Sequence, residues 1–353
     1  MPAPALPSAC GQAVLEGILM RSAGSLAVAV RRPSGEIVVR ERAWRPLVAR
    51  RPLLALPILR GIASLLESCM AGLHGLSFAA EQAGMGGPLA NARIDASVLG
   101  PQPARESSEA PPNWLSMALC LTVAICLGLS LFVALPHMMA VLLTRLFGHP
   151  LALQSLAFGA LTGLCKLLVF FTYLACLGTL RDIRRLFMYH GAEHMVLATY
   201  AAGEPLDLLH ARAHPIQYTR CGTSFLLVFV LLTIVVFSLL FGALPDLGPG
   251  WQGHLLALLV KVPALLPTAG LAYEINLWAC NHSRNSLVRA LLLPGFTLQR
   301  LTTRQPIDDM LEVALVALKA ALNRNNTVPT PKPSTLVYRS FADGVARQAD
   351  RPC

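Results

Sequence analysis

Three stretches of this chain, residues 115–135, 155–180 and 224–244, are apolar for about the length that a lipid bilayer demands. A hydrocarbon core about 30 Å thick needs roughly 20 apolar residues at 1.5 Å rise each. The second run is broken only by Lys166. A fourth stretch, 254–280, qualifies less cleanly, because Lys261, Pro263, Pro267 and Glu274 interrupt it. The composition agrees with these runs. Only 14% of the 353 residues are charged, whereas soluble domains carry about 25%. A single large core does not explain that deficit, since cores stop growing near about 250–300 residues. The expected fold class is therefore mainly α: a multi-pass transmembrane helical protein of about four spans, the fourth broken or kinked. A small N-terminal β-hairpin and interfacial amphipathic helices are expected to accompany it.

The remaining segments sort around the spans. Residues 1–80 read as an N-terminal cytoplasmic unit. Within it, 24–44 form a hairpin, with Val28, Val30, Ile37 and Val39 alternating about a Pro33–Gly35 turn. Residues 53–80 follow with a helical pattern interrupted by Pro57, Arg60, Gly61 and Glu67, read as an interfacial or protein-packed amphipathic helix rather than a span. Residues 81–113 lack sustained periodicity and read as a disordered linker. Residues 114–282 hold the spans and a polar loop at 181–223. Residues 283–323 read as interfacial and amphipathic helices, the first stopped at Pro294–Gly295, the second led in by Pro306, Asp308 and Asp309. The tail, 324–353, reads as disordered.

Charge sets the expected orientation. Arginines crowd the segment before the first span (Arg31 to Arg60), the 181–223 loop (Arg181, Arg184, Arg185, Arg212, Arg220) and the segment after the fourth span (Arg284, Arg289, Arg300, Arg304). The two opposite loops carry little beyond Arg145. Basic loops stay in the cytoplasm, so both termini and the 181–223 loop are expected there, in the cell's inner membrane. In a soluble protein a net charge of +10 would point to nucleic acid. Here the basic residues flank apolar spans, so the expected partner is the lipid bilayer, with no nucleic acid. Nine scattered cysteines without a C-x-x-C are neither a disulfide framework nor a cysteine zinc site. The first residues show no basic n-region followed by an apolar stretch, so no cleavable signal is expected.

The densest polar cluster contains His190-Gly-Ala-Glu193-His194, an H-x-x-E-H pattern. On a helix these three side chains share one face. Two imidazoles one turn apart can ligate one divalent metal, zinc first among them, and the carboxylate can act as general base, Glu193 being the catalytic candidate. The spacing is that of inverted zincins. The same residues can equally cap helices or pair with Arg181, Arg184 or Arg185. A catalytic metal needs a third ligand, and Glu274, Cys221, His214 and Glu204 are the candidates. Glu274 is favoured because a carboxylate inside an apolar run is otherwise costly, although a pair with Arg220 would also account for it. Cys221, at the start of the third span, reads either as a ligand or as a packing residue.

Seven ordered blocks carry a resemblance: GQAVLEGILMRS (11–22), AVAVRRPSGEIVV (27–39), PILRGIASLLES (57–68), DIRRLFMYHGAEH (182–194), RCGTSF (220–225), Tyr273-Glu274, and LQRLTTRQPIDDMLEVALVALKA (298–320). Together they resemble the YqhQ-like bacterial membrane proteins, a family of unknown function often labelled as metal-dependent enzymes. The resemblance implies a membrane protein with a metal site on His190, Glu193 and His194, and no particular substrate. Two departures stand out. Cys10 precedes Gly11 where the family opens with two glycines, and Tyr218-Thr219 stands where members carry His-Pro. A ligand at that histidine would be lost here unless His214 or Tyr218 replaces it.

The leading functional expectation is a cytoplasm-facing metal-dependent hydrolase. The rival is a non-enzymatic membrane scaffold or assembly factor, in which His190, Glu193 and His194 form a structural polar network. A small transporter is the third class, with Lys166, Lys261 and Glu274 marking a polar path.

Overall fold

The computed structural model describes residues 9–83, 114–148, 151–244, 247–248, 250–282, 285–323, 334–338 and 341. The N-terminal unit holds more strand than the expected hairpin. β1 (Cys10–Val14), β2 (Gly17–Arg21), β3 (Ser25–Arg31) and β4 (Ile37–Ala43) form an antiparallel meander. β5 (Ser334–Tyr338) then pairs with β4, Val337 opposite Val38, so five residues of the tail expected to be disordered are an edge strand. Apart from residue 341, the rest of that tail, and 84–113 of the expected linker, lie outside the described residues.

The helices are α1 (Leu47–Arg50), α2 (Leu59–Gln82), α3 (Trp114–Leu129), α4 (Leu135–Leu146), α5 (Leu156–Leu177), α6 (Arg181–Ala202), α7 (Leu208–Ala213), α8 (Gly222–Ala243), α9 (Gly250–Asn281), α10 (Ser286–Thr302) and α11 (Asp308–Asn323). A π-helical turn, Ser130–Ala134, joins α3 to α4 just ahead of Pro136, so the first apolar run continues well past residue 135. Of the fourth span, expected broken or kinked, the break is excluded: α9 runs unbroken through Pro263 and Pro267. The expected stop at Pro294 is corrected, since α10 runs through it. A proline removes one backbone donor and crowds the preceding turn, which kinks a helix without necessarily ending it. Five helices among the described residues are long and apolar enough to cross a membrane: α2, the α3–α4 run from Leu119, α5, α8 and α9.

The sheet is covered on both faces. Ile18, Met20, Ala27, Ala29, Ile37 and Val39 face α6 and α11. Val14, Leu19, Leu26, Val28, Val30 and Val38 pack with Trp44 and with Ala71, Phe78 and Ala79 of α2. Burial on both faces favours near-continuous apolar strands over alternating ones, as in GILMR and SLAVAVR. α11 is the hub: Met310, Leu311 and nearly every residue from Val313 to Ala321 are buried.

α2 reaches from the sheet to the apolar bundle. Its C-terminal half packs on the strands, where Gly72 lies against Gln12 and Gly75 against Val14 and Leu19. Its other end meets α9 backbone to backbone, Gly61 and Ile58 against Gly270. There the Arg60 guanidinium grips the Glu274 carboxylate with two hydrogen bonds, one of 2.9 Å from Nε. Both Trp44, just before this excursion, and Phe78, near its end, sit in the same core against the sheet. The chain therefore leaves the sheet and returns to it.

Candidate metal centre

The three residues that gather are His190, His194 and Cys221, each with a ligand atom within 4.8 Å of the others. α6 places the two imidazoles one turn apart, ring centroids 4.3 Å from each other. Cys221 arrives as the N-cap of α8. Its Sγ lies 3.3 Å from His190 Nε2. Zn–N and Zn–S bonds of about 2.0 and 2.3 Å would set tetrahedral N···S edges near about 3.5 Å, so this pair already stands at ligand spacing.

The imidazoles are oriented as metal ligands are. His190 Nδ1 donates to the Thr302 carbonyl at 2.9 Å, and His194 Nδ1 to the Ile216 carbonyl at 2.6 Å. A carbonyl only accepts, so each Nδ1 carries the proton and each Nε2 presents a lone pair. This is the outer-shell arrangement that fixes tautomer and ring direction in metal-binding histidines. The His194 Nε2 is buried without any hydrogen-bond partner among the described residues. Buried polar atoms are nearly always satisfied, so an atom aimed at the thiol and the second imidazole is one that a cation would satisfy. The donor set fits a divalent metal that accepts nitrogen and sulfur ligands.

The two carbonyls and the thiol are held by elements distant in sequence. Gln299, fully buried on α10, donates from Nε2 to the Tyr218 carbonyl and to Ser224 Oγ, and its Oε1 accepts from the Tyr218 amide. It thereby clamps the segment before Cys221 to the start of α8. Residues 303–306 cross α6 at Gly191: Arg304 donates its amide to the Phe187 carbonyl at 2.9 Å, and any Cβ on Gly191 would strike the Arg304 carbonyl oxygen. Gly191 thus permits the close approach that delivers Thr302 to His190.

Glu193 points from the same helix toward the sheet. Backbone amides of Gly11 and Ala13 hydrogen-bond its carboxylate, and a Cβ on Gly11 would lie 2.7 Å from Glu193 Cγ. These amides belong to β1, the sheet's end strand, whose outer donors would otherwise be unpaired. Burial pushes the Glu193 carboxyl up to about 7, with His190 and the two amides acting in the opposite direction. The contact is reinforced at the β1–β2 turn. Glu16, at a left-handed φ of 50°, is held by Arg185 through two hydrogen bonds, and the Tyr189 hydroxyl donates to it at 3.3 Å. Arg21, at the end of β2, stacks over Trp44.

The other sequence candidates do not join the group. Glu274, the favoured third ligand, is bonded to Arg60; neither the metal role nor the pair with Arg220 describes its place. His214 Nε2 and Glu204 pair with each other at 2.9 Å. Tyr218 does lie beside the site, its ring 6.0 Å from that of His194. Gln299 and the Thr302 and Ile216 carbonyls escaped sequence reasoning. Gln299 offered no distinct signal, since Thr297, Arg300 and Thr302 make that end of α10 polar; the carbonyls offered none.

The fold and site define a class: a helical protein with several membrane-length helices, an α/β unit at one end, and a His-His-Cys cluster where the two meet. The family described as "Protein of unknown function (DUF1385)" matches residues 56–324, and the chain belongs to it. The match spans all three cluster residues and Gln299. The chain is also similar to the uncharacterized protein YqhQ of Bacillus subtilis strain 168, 27% identical over 330 residues, covering 92% of this chain and 96% of that protein. No solved structure matches.

Proposed function

We propose that this is an integral membrane protein carrying a divalent metal on His190, His194 and Cys221, and that the centre serves a hydrolytic reaction on the cytoplasmic side. The observation that carries the proposal is the convergence of two Nε2 lone pairs and one thiol sulfur, one of those nitrogens buried without a partner. Three protein ligands leave one position open, the pattern of catalytic rather than structural zinc. A metal bound there supplies Lewis acidity and makes hydroxide available near neutral pH. The chain's own residues do the rest. Thr302 and Ile216 hold the rings, Gln299 holds the approach to Cys221, and Glu193 accepts a proton on a carboxyl poised near neutrality by burial.

The topology supports four crossings. The sheet, α6, α11 and β5 pack as one unit, so they lie on one side of any membrane. An even number of crossings must then separate β4 from α6, and α6 from α11. α8 and α9 supply the second pair. α3–α4 and α5 supply the first, provided α2 enters and returns, as its docking on the sheet requires. The arginines of α6, Arg220, Arg300 and Arg304 fall on the sheet side, which the positive-inside rule makes cytoplasmic.

A second reading rests on Glu193 itself. Its carboxylate caps the β1 edge, a structural task that a scaffold would need as much as an enzyme. Cobalt titration of the purified protein followed by a screen of ester, amide and phosphoester substrates separates the two. Wild type is expected to show a sulfur-to-cobalt charge-transfer band that Cys221→Ser abolishes. Glu193→Gln is expected to keep the band and lose roughly 100-fold or more of any hydrolytic rate. A band unchanged in Cys221→Ser refutes the ligand set; full activity in Glu193→Gln refutes its role as base.

A further inference from the structure

At the end of the bundle remote from the metal centre, α4, α5, α8 and α9 enclose a cleft of about 430 Å³, its open mouth included. Its walls carry two lysines, Lys166 and Lys261, only 6% and 5% exposed. Among the described residues no Asp or Glu lines it. Lys166 Nζ donates to Thr233 Oγ1 at 3.1 Å, and Lys261 Nζ contacts His137 Nδ1 at 3.0 Å. Both ammonium groups also lie over aromatic faces, Phe237 at 4.8 Å and Phe241 at 5.2 Å. These partners are neutral, and an ammonium has three donors. Each lysine thus spends one hydrogen bond and meets no opposite charge among the described residues.

Two buried lysines facing one cavity without a carboxylate are costly as ammonium groups, and that cost is relieved either by loss of a proton or by an anion in the cavity. His137 and His254 sharpen the direction. Because Lys261 donates to His137 Nδ1, His137 presents its Nε2–H to His254 Nδ1 at 3.2 Å, so the chain of donors starts at the lysine and consumes none of its remaining hydrogens. Arg145 adds positive potential near His254. A separate observation points to a ligand: Thr162 Oγ1 lines the same cleft, buried and without a hydrogen-bond partner among the described residues. A hydroxyl donor beside two ammonium groups matches an oxyanion, and lysine is a common point-charge partner of phosphate.

We propose that this cleft binds a phosphate-type oxyanion between Lys166 and Lys261, with the Thr162 hydroxyl as a further donor. The anion arrives either as free phosphate or as the headgroup of an anionic phospholipid. Neither the metal centre nor its chemistry is needed for this site.

The test uses full-length, detergent-purified protein in two arms. Equilibrium dialysis with radiolabelled inorganic phosphate reads the free anion. Native mass spectrometry from micelles containing phosphatidylglycerol, with diacylglycerol as the control lacking a phosphate, reads the headgroup. About one bound molecule per chain, saturable, is expected in one arm, and that arm identifies the source. Lys166→Gln with Lys261→Gln is expected to weaken binding about tenfold or more while leaving metal content unchanged. Should the double variant not fold, Thr162→Val, which keeps the side-chain shape, is expected to weaken binding at least about threefold. No saturable binding to wild type in either arm overturns the proposal, as does binding undiminished in the folded variants.

Discussion

Gly191→Val is expected to destabilise the protein by about 3 kcal/mol or more and to lower metal affinity with it. α6 meets residues 303–306 backbone to backbone at this point, and a Cβ would overlap the Arg304 carbonyl oxygen. Overpacking against flexible side chains costs typically about 1–3 kcal/mol; a carbonyl anchored by the neighbouring Arg304 amide to Phe187 has less room to yield. The displaced segment begins one residue after Thr302, whose carbonyl orients His190. Loss of such an outer-shell partner typically weakens metal binding roughly 10–100-fold. Thermal unfolding and metal titration of the variant check both effects. A stable Gly191→Val with wild-type metal affinity would separate the 303–306 crossing from the site.

Tyr338→Ala is expected to cost about 3–5 kcal/mol, the range for removing a large aromatic side chain from a core. Tyr338 is 1% exposed and packs in the cluster formed by the sheet, α6 and α11, opposite Ile37 in the register. The loss should fall on the unit that carries His190 and His194, since α6 shares that core. Truncation before Ser334 goes further, because it leaves the β4 edge unpaired, a template for intermolecular pairing. The truncated protein is expected to self-associate in size-exclusion chromatography, and Tyr338→Ala to melt well below wild type. A truncated chain that keeps the wild-type association state and full stability would show that β5 contributes nothing.

The apolar runs were legible because membrane length is a local code: about 20 residues without charge need no partner to be recognised. The His190–His194 pair was legible for a similar reason, since i and i+4 on a helix share a face whatever surrounds them. Cys221 was legible only as one of several candidates. Glu274 was preferred to it because its partner, Arg60, lies 214 residues away, and nothing local announces a salt bridge across that separation. β2 was missed because a strand buried on both faces loses the alternation that marks a one-sided sheet; β1 is five residues with only Val14 buried, and the two-residue turn between them, Leu15-Glu16, lacks the usual Asn-Gly chemistry. β5 is five residues in a polar tail and becomes a strand only through β4. The Thr302 and Ile216 carbonyls that orient the imidazoles have no side-chain signature at all.

The central claim, a metal on His190, His194 and Cys221, is tested most directly by elemental mass spectrometry of the purified protein. Wild type, a His190→Ala/His194→Ala double variant and Glu274→Gln would be measured side by side. The expected result is about one zinc or similar divalent ion per chain in wild type and in Glu274→Gln, and none in the double variant. Absence of metal from wild type even after loading, or metal retained by a folded double variant, would contradict it; loss in Glu274→Gln would return that carboxylate to the ligand set.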